Sequence, residues 1–166
     1  MQQLTTIDVS KEDFKFSAAH FTIFSATERE RLHGHNYKVR AQLLAVVDDN
    51  GLCFNYQEIK TRLRKICDAL DEYMLLPTQS PYLKITPNDQ GYEVSFNNES
   101  FAFLASDTQL LAIKNTTIEE FSRFILAQLV NTDDFLSANR IKECSVSVSS
   151  GDGQWATAKW TPNDPS

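Results

Sequence analysis

The chain has 166 residues, 42% of them hydrophobic, with eleven Phe, five Tyr and two Trp; that is enough apolar material for one domain with a sizeable core and too much for a disordered segment. A formal net charge of -6 without a basic stripe argues against nucleic acid as a partner. No apolar run is long enough to span a bilayer, the opening MQQLTTIDVSKEDF has neither the basic end nor the apolar run of a signal peptide, and the widely spaced Cys53, Cys67 and Cys144 predict reduced core thiols in a cytoplasmic protein.

In chain order, DFKFSAAHFTIF (13–24) is aromatic and partly alternating, which predicts a strand. SATERERL (25–32) is polar and reads as a loop. HNYKVRAQLLAVVDD (35–49) places Tyr37, Val39, Ala41 and Leu43 on one face and Lys38, Arg40 and Gln42 on the other, the pattern of a half-buried antiparallel strand. Asp48-Asp49-Asn50-Gly51 is a turn. Asn55-x-x-Glu58 has capping-box spacing, and Ile59, Leu63, Ile66, Cys67 and Leu70 form the buried stripe of the helix it opens. Pro77 and Pro81 close that region. Residues 82–104 alternate around the turns PNDQG and NNES and predict a small β-meander. Thr117-x-x-Glu120 repeats the capping spacing ahead of a second helix with the stripe Ile118, Phe121, Phe124, Ile125 and Leu129. CSVSVSS (144–150) and QWATAKW (154–160) are two further strands joined by Gly151-Asp152-Gly153. Two hairpins separated by helices make a single α+β domain over 1–166.

All three histidines of the chain fall at one place in this scheme: His20, His33 and His35. Side chains at i and i+2 of a strand point the same way, so His33 and His35 project together. Gly34 between them leaves room for another backbone or a ligand on the opposite side. An antiparallel hairpin brings His20, at the end of the preceding strand, beside the pair. Three imidazoles hold zinc with its fourth tetrahedral position open, the arrangement that zinc catalysis needs.

FSAAH (16–20), LHGHNYKV (32–39) and TTIEEF (116–121) together resemble the 6-pyruvoyl-tetrahydropterin synthase and 6-carboxytetrahydropterin synthase family, in order along most of the chain, with 82–104 as an insertion. The resemblance implies a tunnelling fold: a four-stranded antiparallel sheet with two helices on one face, here with the inserted meander. It implies assembly into a barrel, usually a hexamer of two stacked trimers, with active sites between subunits. It implies Zn2+ held by His20, His33 and His35, a lyase reaction and a pterin-like substrate, 7,8-dihydroneopterin triphosphate.

Three positions depart from the family pattern. The loop before HGH carries no catalytic cysteine, and Glu28 and Glu30 are the replacements available. A related subgroup with a glutamate in this loop cleaves the substrate's side chain to 6-hydroxymethyl-7,8-dihydropterin; such a carboxylate acts as base when burial raises its pKa. Where the family has Leu-Asp-His at the end of the first helix, this chain has Leu70-Asp71-Glu72, an acidic pair able to share a proton. The family's pterin-gripping glutamate near the C-terminus is replaced by Ser150, which leaves Glu119, with Thr116 and Thr117, as the carboxylate and hydroxyls for the substrate. The catalytic candidates are therefore Glu28, Glu30, Asp71 and Glu72. The alternatives are a non-catalytic paralogue that binds a heterocycle or partner, and a zinc enzyme acting on a non-pterin substrate.

Overall fold

Two long amphipathic strands, β1 (Leu4–His20) and β2 (His33–Val46), form an antiparallel hairpin in which His20 pairs with His33 and Ala18 with His35. Phe14, Phe16 and Ala18 of β1 and Tyr37, Val39, Ala41 and Leu43 of β2 are buried, while the residues between them on β2 face out or are half-buried. That alternation fixes one face of the hairpin as the core face. The computed structural model describes residues 2–131 and 134–162. The remaining elements are α1 (Tyr56–Asp68), β3 (Tyr73–Pro77), β4 (Lys84–Pro87), β5 (Gly91–Phe96), β6 (Glu99–Leu104), one 3₁₀ turn (Ala105–Asp107), β7 (Thr108–Leu111), α2 (Ile118–Val130), the short α3 (Phe135–Ala138), β8 (Ile141–Ser149) and β9 (Ala156–Trp160).

The α+β class expected from the sequence is present, but the main sheet has six strands in the order β7-β3-β1-β2-β8-β9, not four. The expected antiparallel set is its β1-β2-β8-β9 part, and β3 and β7 extend it by parallel pairing beside β1. YMLLP is buried along nearly its whole length, so it lacks the alternation by which a half-exposed strand is read. β1 also begins well before residue 13. Its polar first half is interrupted by an irregularity between Ser10 and Lys15, which breaks the period.

Both helices cover the same face. Ile59, Leu63 and Cys67 of α1 and Phe121, Ile125 and Leu129 of α2 join Phe16, Tyr37, Val39, Val146 and Val148 in one core. Asn55 and Thr117 cap the two helices, as the sequence predicts, through Gln57 N at 3.0 Å and Glu120 N at 3.4 Å. The reciprocal arms are spent elsewhere. Glu58 pairs with Arg62 at 2.7 Å, and Glu120 accepts from Lys114 N at 2.8 Å, pinning the loop ahead of α2. Cys53, Cys67 and Cys144 are free and buried. Burial pushes the Cys67 and Cys144 thiols up to about 12, so neither is a nucleophile at neutral pH.

The meander expected over 82–104 is the separate sheet β4-β5-β6. Asn97 and Asn98 take φ of 42° and 65° in the two-residue turn between β5 and β6, which matches the strand twist. At Gly91 a Cβ would meet Phe103 O at 2.1 Å, so only glycine fits. Val94 and Phe96 pack with Met74, Leu76, Phe21 and Ile23 in a second core. Leu75, between Met74 and Leu76, belongs to the first core; the meander therefore lies on the sheet face opposite the helices.

Phe121 links the helices to the histidine-bearing strands. Its ring meets Phe16 edge-on at 5.8 Å and Tyr37 at 5.0 Å, fully buried. Phe121→Ala is expected to cost about 3–5 kcal/mol, read as a loss of about 6–20 °C in Tm by calorimetry. A loss under a couple of degrees would contradict this packing.

Candidate metal centre

His20, His33 and His35 come together as the hairpin register dictates. Their ring centroids lie 4.7, 5.2 and 4.8 Å apart, and the ligand atoms of the three all fall within 4.8 Å of one another. Two of the rings are oriented by backbone carbonyls. Nδ1 of His20 donates to Thr116 O at 2.8 Å, and Nδ1 of His33 donates to Arg31 O at 2.6 Å. A carbonyl only accepts, so the proton of each neutral ring sits on Nδ1 and each Nε2 presents a lone pair, the usual way a ligating imidazole is oriented.

Nε2 of His20 is buried and finds no hydrogen-bond partner among the described residues, and Nε2 of His33 stands 3.0 Å from Nε2 of His35. Neighbouring ligands of a tetrahedral zinc at about 2.0–2.1 Å are about 3.3 Å apart. The donor set, its spacing and the orphaned lone pair thus fit a divalent cation with an open position. Burial, opposed by the bond to Thr116, holds His20 below the ordinary imidazole value, in the neutral form that ligates.

Glu30 stands beside this cluster. Its Oε2 lies 3.8 Å from Nε2 of His33 and accepts from Thr22 N at 3.0 Å. The sequence reading required burial to raise this carboxyl, and the structure corrects it. Burial does act upward, but the Thr22 hydrogen bond and then His33 outweigh it, so Glu30 sits below its usual value and stays ionised. Glu28, two residues away, is exposed. Its backbone closes the turn, accepting from Phe24 N at 2.8 Å and donating to Ser25 Oγ at 3.1 Å.

The other candidates are placed differently. Asp71 accepts Ser17 N at 2.6 Å, and Glu72, at φ 63°, donates its amide to Ser17 O at 2.7 Å. Glu72 lines a cleft of about 580 Å³ with Ser17, Gly34, His35, Asn36 and Asp107. Ser17, Gly34 and Asn36 alternate with the histidines along β1 and β2, so this cleft reaches round to the other face of the sheet while His35 borders it. Gly34 also brings its backbone close to β1, since a Cβ there would stand 3.3 Å from Ala18 O. Thr116 is buried, its carbonyl on His20 and its hydroxyl donating to Phe21 O at 2.9 Å. Thr117 caps α2, Glu119 is exposed on its first turn, and Ser150 accepts from Gln154 Nε2 at 3.2 Å in the β8–β9 turn.

Several residues that build the site were not predicted. Asn115 bonds Ile23 through both amide atoms, at 3.1 and 2.7 Å, and so holds the strand end carrying His20 against the loop before α2. Its signal was an Asn beside the Thr-Thr pair. Tyr37 packs near His20 and His35 at 5.8 and 5.7 Å, and its buried hydroxyl has no partner among the described residues. Burial, then the Glu30 charge, pushes that phenol above its usual range, so it remains a donor.

The 6-pyruvoyl tetrahydropterin synthase family model matches residues 8–160. The chain belongs to that family. It superposes on 6-pyruvoyl tetrahydropterin synthase of Plasmodium vivax with a TM-score of 0.91 and 31% identity, covering 96% of this chain and 99% of that one. The same enzyme from Plasmodium falciparum gives 0.90 and 30%, with 95% and 98% covered. A form of the P. vivax enzyme in which a catalytic glutamate is replaced by alanine has also been solved, and matches at 0.91. A curated protein of Methanocaldococcus jannaschii, provisionally assigned as a 6-carboxy-5,6,7,8-tetrahydropterin synthase, is 27% identical over 143 residues, 86% of this chain and 87% of its own length. Members of the family are lyases of pterin synthesis, and this chain is pterin synthase-like in sequence and fold. No described helix is long and apolar enough to cross a membrane.

Proposed function

We propose that the protein is a zinc-dependent lyase acting on 7,8-dihydroneopterin triphosphate or a related pterin, with Glu30 as its base. The observation that carries this reading is the ionised Glu30 carboxylate 3.8 Å from a cluster of converging imidazole nitrogens, in a chain similar to an enzyme with a catalytic glutamate. His20, His33 and His35 would hold the ion. Bound there, zinc supplies Lewis-acid polarisation of a substrate hydroxyl or keto oxygen. Thr116 O and Arg31 O keep two of the rings in the ligating tautomer. Thr22 N fixes the Glu30 carboxylate where it takes a proton from the substrate's side chain. Glu28 is the second candidate for that step. Thr116, Thr117, Glu119 and Ser150 are proposed to shape and bind the pterin end.

Asp71 accepts from Ser17 N and Glu72 lines the cleft that His35 borders; we assign their proton-handling role to that cleft, in this copy or at the site of a neighbouring one. β7 and β9 are edge strands, and ring closure of such sheets removes exposed edges; this supports a homo-oligomer, for which the family resemblance suggests a hexamer of two trimers. The buried free thiols support a cytoplasmic setting.

Zinc-loaded protein supplied with 7,8-dihydroneopterin triphosphate is expected to consume it, giving a 6-pyruvoyl pterin or 6-hydroxymethyl-7,8-dihydropterin, followed by chromatography with fluorescence detection. Absence of turnover with full zinc loading would overturn the reading. Ser150 in place of a carboxylate favours the second reading, a zinc-bound protein for another heterocycle, which a thermal-shift screen of heterocycles would reveal.

A further inference from the structure

The segment TERER has the composition of a solvated loop, yet the Arg29 side chain is only 16% exposed. Its guanidinium carbon lies 4.6 Å from the Phe101 ring centroid, 5.4 Å from that of Phe21 and 5.8 Å from that of Phe96. Nη2 donates to Glu99 Oε2 at 2.6 Å, and Nη1 donates to the carbonyl oxygen of Glu30 at 2.9 Å. Phe96, Glu99 and Phe101 all belong to the meander. One planar cation thus joins the inserted sheet to the peptide group of the residue proposed as base.

The peptide on the other side of the Glu30 Cα is gripped as well. Glu30 N donates to Thr22 O at 2.8 Å, and Ile23 bridges to Arg29 across the loop. An exposed ion pair alone would contribute little. Arg29 combines its pair with ring stacking and a bond to a main-chain oxygen, which a lysine ammonium cannot reproduce in one plane.

We infer that Arg29 is a positioning residue: anchored by Glu99, Phe96 and Phe101, it clamps the meander onto the Glu30 peptide and sets where the Glu30 carboxylate stands relative to the three histidines. The inference rests on the reading of Glu30 as the base, and it gives the meander a function in the reaction.

The test compares full-length Glu99→Gln, Arg29→Lys, Arg29→Ala and the double variant Glu99→Gln/Arg29→Ala with wild type. Zinc content, kcat and KM on 7,8-dihydroneopterin triphosphate, and amide hydrogen exchange by mass spectrometry are measured on each. Glu99 is 59% exposed in its side chain, so its isosteric change leaves the fold intact. Glu99→Gln and Arg29→Lys are expected to lower kcat about 3- to 30-fold with KM and zinc content unchanged. Exchange over 22–31 is expected to rise about tenfold while 56–68 stays at the wild-type rate. The double variant is expected to match Arg29→Ala alone, because the two side chains act as one device. Wild-type kcat and wild-type exchange over 22–31 in Glu99→Gln and Arg29→Lys, with only a lower Tm, would overturn the clamp. Should wild type itself not turn over the pterin, exchange decides alone: faster exchange confined to 22–31 upholds the clamp while the pterin reading falls, and unchanged exchange overturns the clamp.

Discussion

His20→Ala is expected to abolish stoichiometric zinc binding. Zinc sites with four protein ligands bind with about 10–16 kcal/mol, so one ligand carries about 3–4 kcal/mol, or about 10²–10³-fold in affinity. The loss falls on His20 with particular force because its Nε2 is buried and otherwise unpartnered, and its Nδ1 bond to Thr116 O fixes the ring. Zinc per chain after dialysis, measured by mass spectrometry, is expected to fall from one to near zero. The thermal gain expected of wild type at a hundredfold excess of zinc over Kd, about 2.7 kcal/mol, should vanish with it. His33→Ala, at a half-exposed position, separates ligand loss from fold damage and is expected to lose zinc while keeping its metal-free Tm within a few degrees. A variant of either histidine that retained one zinc per chain would remove that residue from the site.

Glu30→Gln is expected to lower kcat by about 10²–10⁴-fold, the range of a lost general base. Zinc content should not change, because the amide oxygen of glutamine still accepts the Thr22 N–H. Glu28→Gln, in an exposed turn, is the comparison, and its kcat is expected to stay within about threefold of wild type. The pH sign follows from the depressed Glu30 carboxyl. A base held below the usual carboxylate range stays ionised through the range in which imidazoles titrate, so activity lost on acidification through that range reflects protonation of imidazoles and release of metal. An acid limb that moved with the Glu30 side chain near neutral pH would contradict this, as would full activity in Glu30→Gln.

The histidine site was legible because strand alternation and hairpin pairing are rules of side-chain direction, and all three histidines obey them. The choice between Glu28 and Glu30 was not legible. Both are acids in one polar loop, and only the fold of 21–31, with the Ile23–Arg29 bridge and the amide of Thr22, turns one carboxylate toward His33. Thr116 was read for its hydroxyl, whereas its carbonyl orients His20; main-chain groups leave no mark in composition. The two extra strands were missed for a related reason. YMLLP and TQLL are short and parallel, so neither shows the alternation by which half-exposed strands are read. The meander announced itself by its turns, but its contact with the site runs through Arg29, whose burial against three aromatic rings no local pattern could express.

Zinc-edge X-ray absorption on the purified, metal-loaded protein tests the central claim most directly. The account predicts one zinc per chain with three imidazole nitrogens and one exchangeable light ligand, all at about 2.0–2.1 Å. A shell containing sulfur, a fourth fixed protein ligand, or zinc that stays well below one per chain would contradict it.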